Sequence, residues 1–398
     1  MNKNVRMNRE DAVGVVTTIA LVPIIPFALI LALPSTIINE VVDAFSLEGA
    51  GEGLMSSLVS LGFMLSLFVV PVTQGRVQKI PLMIAACALQ TVMLFACGAS
   101  PTFVLFGVSC MILGFSGGFI DACCNSAVVD VRKADSSKYL SYLHGLFGVG
   151  SLLAPLMIYW LLRGTDWRGV HNVMAVISAI TALIIFLLTL RSGKKGITSD
   201  IHEQLLNRAD LRSYLRKKRN IGLALASIFA SLAQTGVLAW IVRYMTVRFD
   251  HAELGALAFS AYWLCSTINR FCFSHIVRRA PMKFFAVGAV IHGIFLIVGI
   301  LSADPVVLSV MVGALGLVGG HFFPVLVSEF ARGYEGKTTF TTTFLLFVSG
   351  AGRIGAPLLM AYISTNLSFG IGMMIPIAAS FVAAAGGLMA VRSDSLET

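Results

Sequence analysis

The sequence predicts an all-α membrane protein whose twelve transmembrane helices form two pseudo-symmetric six-helix bundles. Three observations predict it. The 398 residues are 57% apolar and only 12% charged, against about 25% charged in an ordinary soluble domain. Apolar stretches long enough to cross a bilayer, about 20 residues each, recur along the whole chain. The second set of six also echoes the first at a nearly constant offset. A soluble enzyme is excluded, and so is a nucleic-acid protein. The net charge of +9 is spread over short loops between apolar stretches rather than gathered on a basic soluble domain.

In chain order the spans are expected near 13–33, 53–73, 80–99, 101–130, 139–162, 170–190, 220–247, 254–277, 282–301, 305–330, 338–363 and 367–391. The first follows a basic stub (Lys3, Arg6, Arg9) that resembles the opening of a signal peptide. Its uncharged length and the lack of a small-residue cleavage site predict a retained helix. No secretory or lipidation signal is expected. Pro23, Pro26, Pro155, Pro324 and Pro357, with the abundant glycines, allow kinks and close packing inside spans. The seven cysteines (Cys87, Cys97, Cys110, Cys123, Cys124, Cys265, Cys272) sit in apolar stretches without metal-ligand spacing and are read as small packing residues.

Short basic loops stay on the cytoplasmic side. With both termini inside, that side holds the N-terminal stub, Arg76 and Lys79, Arg132, Lys133 and Lys138, the basic run from Arg191 to Arg219, Arg278, Arg279 and Lys283, Arg332 and Lys337, and Arg392. The other side holds only Arg163, Arg168, Arg243 and Arg248, and its first loop is acidic, with Glu40, Asp43, Glu48 and Glu52. The chain then divides into a bundle at 1–190, a cytoplasmic basic linker at 191–219 and a bundle at 220–398. Ile201, Leu205, Leu211 and Leu215 approach helical spacing, so the linker is either an interfacial amphipathic helix or a mobile connector.

Gly150-Ser151-Leu152-Leu153-Ala154-Pro155-Leu156 aligns with Gly352-Arg353-Ile354-Gly355-Ala356-Pro357-Leu358, and Gly117-Gly118 with Gly319-Gly320 at the same offset of 202. Val77-Gln78-Lys79-Ile80-Pro81 aligns with Val277-Arg278-Arg279-Ala280-Pro281 at 200. Both halves begin inside, which implies parallel repeats related by an axis along the membrane normal.

On this layout the chain resembles the major facilitator superfamily over nearly its whole length. Gln74-Gly75-Arg76-Val77-Gln78-Lys79 is similar to the family's loop motif after the second span, with its acid replaced. Gly117 to Asn125, Leu143-His144-Gly145-Leu146-Phe147-Gly148-Val149-Gly150, Tyr262-Trp263, Asn269-Arg270 and Phe322-Phe323-Pro324 resemble the sugar-transporting branch that includes fucose:proton symporters. The resemblance implies the major facilitator fold, a cavity lined by the first, fourth, seventh and tenth helices, a monomer, and a gating or structural role for Arg76.

An ionisable side chain within a span costs about 2.5 to 3.5 kcal/mol on insertion scales, so each needs a reason. Asp121 lies about ten residues from the cytoplasmic end of the fourth span, with Asn125 one turn on and His144 expected near its level across the hairpin. Carboxylate and imidazole are the expected proton-coupling groups; a static polar contact is the alternative. Arg270, eight residues from its cytoplasmic end, is expected to bond helix-end carbonyls or gate. Arg353 is deeper and needs a partner or an anionic ligand. Glu329 is expected to pair with Arg332 or another basic loop residue. Asn125, Gln234, Trp263, Asn269, His321 and Arg353 are the expected substrate contacts; Trp240 is a further aromatic candidate, and His292 is given no role.

Together these residues imply a secondary transporter working by alternating access, not an enzyme, with no cofactor, no metal and no ATP-binding motif. The expected cargo is a small polar solute, a sugar or sugar derivative, moved with a proton. Sodium, which also binds carboxylate oxygen, is the other candidate ion. An exporter of drugs or amphipathic metabolites is the rival function, and a transport-dead sensor a second. The chain is expected in a bacterial cytoplasmic membrane, partnered by lipid, with no nucleic acid.

Overall fold

In the computed structural model residues 9–48, 51–74, 77–132, 136–192, 212, 214, 216–272, 277, 279–332 and 338–397 are described. These residues form helices and no strand. Arg76 and the linker residues Ile201, Leu205, Leu211 and Leu215 lie outside them. Eleven helical stretches are long and apolar enough to cross a membrane. The eighth span, Ala252–Cys272, has the length but carries Glu253, Asn269 and Arg270, which lower its hydropathy; it packs against the fifth, seventh and tenth spans. The fold is an all-α membrane protein of twelve spans.

Boundaries follow the sequence within a few residues, but two spans are broken where one helix was expected. The first is Arg9–Leu21 followed by Ile24–Thr36. Pro23 and Pro26 interrupt it, because proline has no N–H for the carbonyl four residues back. The tenth is Pro305–Gly319 followed by Phe322–Ala331. Pro324 has the same effect there and leaves the Gly320 carbonyl without a helical donor. The twelfth begins with a short turn, Phe369–Gly372, before Met374–Glu397.

Within the first six spans the second packs on the fourth, the third on the fourth and sixth, and the first on the fifth. Six spans later the pattern repeats: eighth on tenth, ninth on tenth and twelfth, seventh on eleventh. The bundles meet through the second span on the eleventh and the fifth on the eighth, two contacts that exchange under the same six-span shift. Small residues allow the approach. A Cβ at Gly53 would collide with the Pro357 carbonyl, and the Ser57 hydroxyl donates to the Ile354 carbonyl at 2.8 Å.

The first and last helices place their outer ends on one face, here the terminal face. Near the opposite face one apolar core runs through both bundles, with Leu33, Phe106 and Trp167 from the first and Trp240, Met245 and Leu308 from the second. Near the terminal face the core is split. Ile24, Met83, Cys123 and Cys124 form one cluster, and Tyr214, Phe285, Phe330 and Phe344 another. The bundles are thus joined on one side and parted on the other.

Ion pairs follow the same division. At the opposite face Arg243 of the seventh span reaches Glu52 of the second (Nε–Oε2 3.1 Å, Nη2–Oε1 3.3 Å) and donates to Asn39 Oδ1 at 3.3 Å. Asn39 Nδ2 donates to Thr246 Oγ1 at 2.8 Å. These contacts cross between bundles. At the terminal face the pairs given by the described residues lie within one bundle: Lys79 Nζ–Asp130 Oδ2 at 2.7 Å and Arg219 Nη2–Glu329 Oε2 at 2.6 Å, with Arg332 on the same Glu329 oxygen at 3.2 Å. Five cysteines are buried, and all seven are free thiols.

Candidate functional site

A cavity of about 350 Å³ lies between the bundles, below the shared core. That is at the small end of the roughly 300–1,000 Å³ found for small-molecule sites. The first and second spans give it Phe27, Ser35, Ser56, Ser60 and Phe63, and the fourth and fifth give Asp121, His144 and Phe147. The seventh and eighth contribute Ser231, Gln234, Thr235, Tyr262, Trp263 and Arg270. Gly319, Gly320 and Phe323 of the tenth and Ser349 and Arg353 of the eleventh close the wall.

Asp121 faces this space from an unbroken helix, Phe103–Arg132. Asn125, one turn on, does not line the cavity; its Nδ2 donates to Asp121 Oδ1 at 3.0 Å and to the Asp121 carbonyl at 2.8 Å. It is therefore a carboxylate-positioning residue rather than a direct solute contact. Among the described residues Asp121 has no ion pair within 4 Å, and the charge it interacts with across the cavity is Arg353. His144 lines the same cavity, but no hydrogen bond joins it to Asp121; the charge near its ring is Arg270. The expected carboxylate–imidazole pair is replaced by two cross-bundle relations, Asp121 with Arg353 and His144 with Arg270.

The break in the tenth span exposes three carbonyls, and three predicted residues occupy them. Gln234 Nε2 donates to the Gly319 carbonyl at 3.0 Å, Arg270 Nε to the Gly320 carbonyl at 3.1 Å, and Asn269 Nδ2 to the Leu317 carbonyl. A buried carbonyl left unpaired costs about 1–3 kcal/mol, so these side chains hold the break as well as shape the wall. Asn269 is buried and off the cavity, which corrects its expected substrate contact. Its place beside Gly320 on the eighth span fixes it as a brace. Gln234 and Arg270 do both jobs.

His321 is also corrected. It stands at the break, but its ring lies on Phe322 and against Gly288 of the ninth span, away from the cavity. Trp263 lines the cavity between Phe147 (5.6 Å between ring centroids) and Tyr262 (5.8 Å), whereas Trp240 is buried against Phe369. Arg353 lies over the Phe63 ring at 5.2 Å and makes no hydrogen bond or ion pair among the described residues. Glu329 meets Arg219 and Arg332 as expected and is remote from the cavity. His292 donates or accepts at Ser380 Oγ at 2.9 Å inside the second bundle.

The sequence reading missed Ser60, Ser231, Thr235, Ser266 and Ser349 on the cavity wall. Lone hydroxyls in an apolar run carry no periodic signal, since a helix absorbs them by bonding its own carbonyls. It also missed the Lys79–Asp130 pair, whose members stand at the ends of adjacent helices.

No curated protein matches the chain. Among solved structures, a bacterial homolog of the human lysosomal transporter Spinster, inward-facing and occupied, is 14% identical with TM-score 0.69 over 97% of both chains. A single-residue variant of the E. coli fucose:proton symporter FucP is 16% identical with TM-score 0.62, over 94% of this chain and 97% of that one. At such identities the likeness establishes the fold. The Major Facilitator Superfamily model matches residues 16–352, most of the chain, and the protein belongs to that superfamily of membrane transporters.

Proposed function

We propose that the chain moves a small polar solute, a sugar or sugar derivative, by alternating access and couples it to a proton through Asp121. The observation that carries this reading is a carboxylate on the wall of a small inter-bundle cavity, held by Asn125 and faced by Arg353 without a direct ion pair. A carboxylate in that position changes charge when its surroundings change, and rocking of the bundles changes them. Trp263, Phe147 and Tyr262 offer apolar faces for a sugar ring, and the hydroxyls and Gln234 offer hydrogen bonds. His144 is the second titratable group on the wall. The similarity to a fucose:proton symporter supports the reading at the level of fold.

In this proposal the terminal face is cytoplasmic, as the bias of Lys and Arg implies, in a bacterial cytoplasmic membrane. Residues 1–190 and 220–398 are the moving units, 191–219 connects them, and a monomer suffices. A second reading, export of amphipathic metabolites, draws on the phenylalanines of the wall (Phe27, Phe63, Phe147, Phe323).

The test is solute-induced proton movement in proteoliposomes. Asp121→Asn is expected to abolish uphill accumulation driven by a pH gradient while leaving solute exchange in place. Uphill transport at the native level in that variant would remove Asp121 from the mechanism. Resistance to a panel of amphipathic cations would favour export instead.

A further inference from the structure

The cavity separates its charges by bundle. Asp121 and His144 belong to the first bundle, and the two guanidinium groups, Arg270 and Arg353, to the second. Arg353 spends none of its five N–H donors on hydrogen bonds to the described protein, and its guanidinium lies over the Phe63 ring at 5.2 Å. Arg270 spends one, Nε on the Gly320 carbonyl. Two permanent cations with open donors share one small cavity with a single carboxylate. An arginine fork held in low dielectric without a partner is costly, and it matches a planar or tetrahedral anion in two-point geometry.

We infer that the transported solute is an acidic sugar, and that its anionic group binds Arg353, with Arg270 as a second cation of the same subsite. The inference rests on the proposed function and deepens it by naming the substrate class. Coupling follows from charge crowding. Among the described residues, the charged and titratable groups whose charges meet that of Asp121 are Arg353 from the eleventh span and Cys124 on its own helix. With no solute bound, Asp121 is the counter-charge of Arg353. When a solute anion takes Arg353, the one cation that Asp121 faces is claimed by a second negative group, and the Asp121 carboxylate accepts a proton from the open side. Anion binding and proton binding then favour each other by the same factor, as linkage requires. One proton enters with one monovalent anion, so the loaded cavity gains no net charge and transport of such an anion is electroneutral. Release on the other side returns the proton and restores the Asp121 counter-charge.

The experiment compares glucuronate, glucose 6-phosphate and glucose in proteoliposomes, reading internal pH and electrical current separately. Glucuronate is expected to carry protons inward without current and glucose to give neither signal; uptake of glucose 6-phosphate would assign the anionic group to phosphate. Arg353→Gln should abolish glucuronate uptake. Arg353→Lys, which keeps charge but loses the fork, should raise its half-saturating concentration about tenfold. Proton-coupled glucose uptake with a current, and no response to either anion, would overturn the inference and leave the proposed function standing. Equal loss of glucose and glucuronate transport in folded Arg353→Gln would also overturn it. Silence of the native protein to all three, with its thermal unfolding intact, would overturn the proposed function and this inference together.

Discussion

The same Gly-Gly pair, one in each bundle, has two outcomes. Gly117-Gly118 lies inside the fourth span, which runs unbroken from Phe103 to Arg132, whereas Gly319-Gly320 ends the upper piece of the tenth. Four residues after the second pair comes Pro324; at the equivalent place after the first stands Ala122. The glycines are pressed differently too. Phe27 and Ser66 crowd the first pair, and a Cβ on Gly118 would strike the Ser66 hydroxyl. The second pair is met by polar groups, Gln234 Nε2 2.8 Å from a Cβ built on Gly319 and Asn269 beside Gly320. The two bundles hold two copies of a close-packing motif. One became a rigid support for a carboxylate, and the other a joint braced by side chains that also touch the cavity.

Predictions sharpen or break that contrast. The largest effect is expected at the ion pairs beneath it. Glu329→Ala leaves Arg219 buried without its carboxylate and should cost about 3–5 kcal/mol, read as loss of thermal stability in detergent. Asp130→Ala should cost less, because the released Lys79 stem extends to water; equal costs would mean the two bundles are braced alike at this face. Next, Gly118→Ala should cost about 1–3 kcal/mol by overpacking, and Gly319→Ala less, because the Gln234 amide can swing aside. The reverse order of unfolding temperatures would show the tenth span to be the tighter of the two.

A smaller effect is expected for Gln234→Met, which keeps volume but leaves the Gly319 carbonyl open: about 1 kcal/mol of stability, with a larger loss of transport. Stability and transport falling in proportion would reduce Gln234 to a brace alone. The smallest concerns Glu40, in the connecting helix Ile38–Phe45 beside the cross-bundle contacts. Burial, with a minor contribution from Asp43, holds its carboxyl above the usual range, and Oε2 has no hydrogen-bond partner among the described residues. A raised acid contributes stability below its unfolded pKa and loses it as pH rises through the folded value. Glu40→Gln should therefore raise the unfolding temperature at neutral pH and leave it unchanged below about pH 4; a lower unfolding temperature at neutral pH would refute this.

Span positions were legible because a run of about 20 apolar residues between basic loops fits little besides a bilayer crossing. The breaks were half-legible: Pro23, Pro26 and Pro324 marked kinks, but which carbonyls they would free, and that Gln234, Asn269 and Arg270 would take them, depends on the rotation of neighbouring helices. Asp121, His144, Gln234, Trp263, Arg270 and Arg353 were found because charged, amide and indole groups are costly or conspicuous inside a span. His321 misled for the same reason. One residue beyond Gly320, the broken helix has turned its ring toward the ninth span. That His144 shares a wall with Asp121 was readable from the hairpin, but not that a cation, Arg270, stands near its ring, since Arg270 comes from the other bundle. Tyr214 gave no signal, yet its buried hydroxyl donates to the Phe330 carbonyl at 3.2 Å.

The Arg243, Glu52, Asn39 and Thr246 contacts make the resting protein asymmetric in time as well as in space. In the alternating-access cycle proposed above, a solute arriving from their side finds a binding-competent carrier only in the fraction of molecules whose contacts are momentarily undone. Its apparent dissociation constant is the intrinsic one divided by that fraction. Every 1.4 kcal/mol held in those contacts moves the constant about tenfold on that side alone. The two faces of one carrier, with one and the same cavity, therefore present different half-saturation concentrations, and the ratio between them measures the latch.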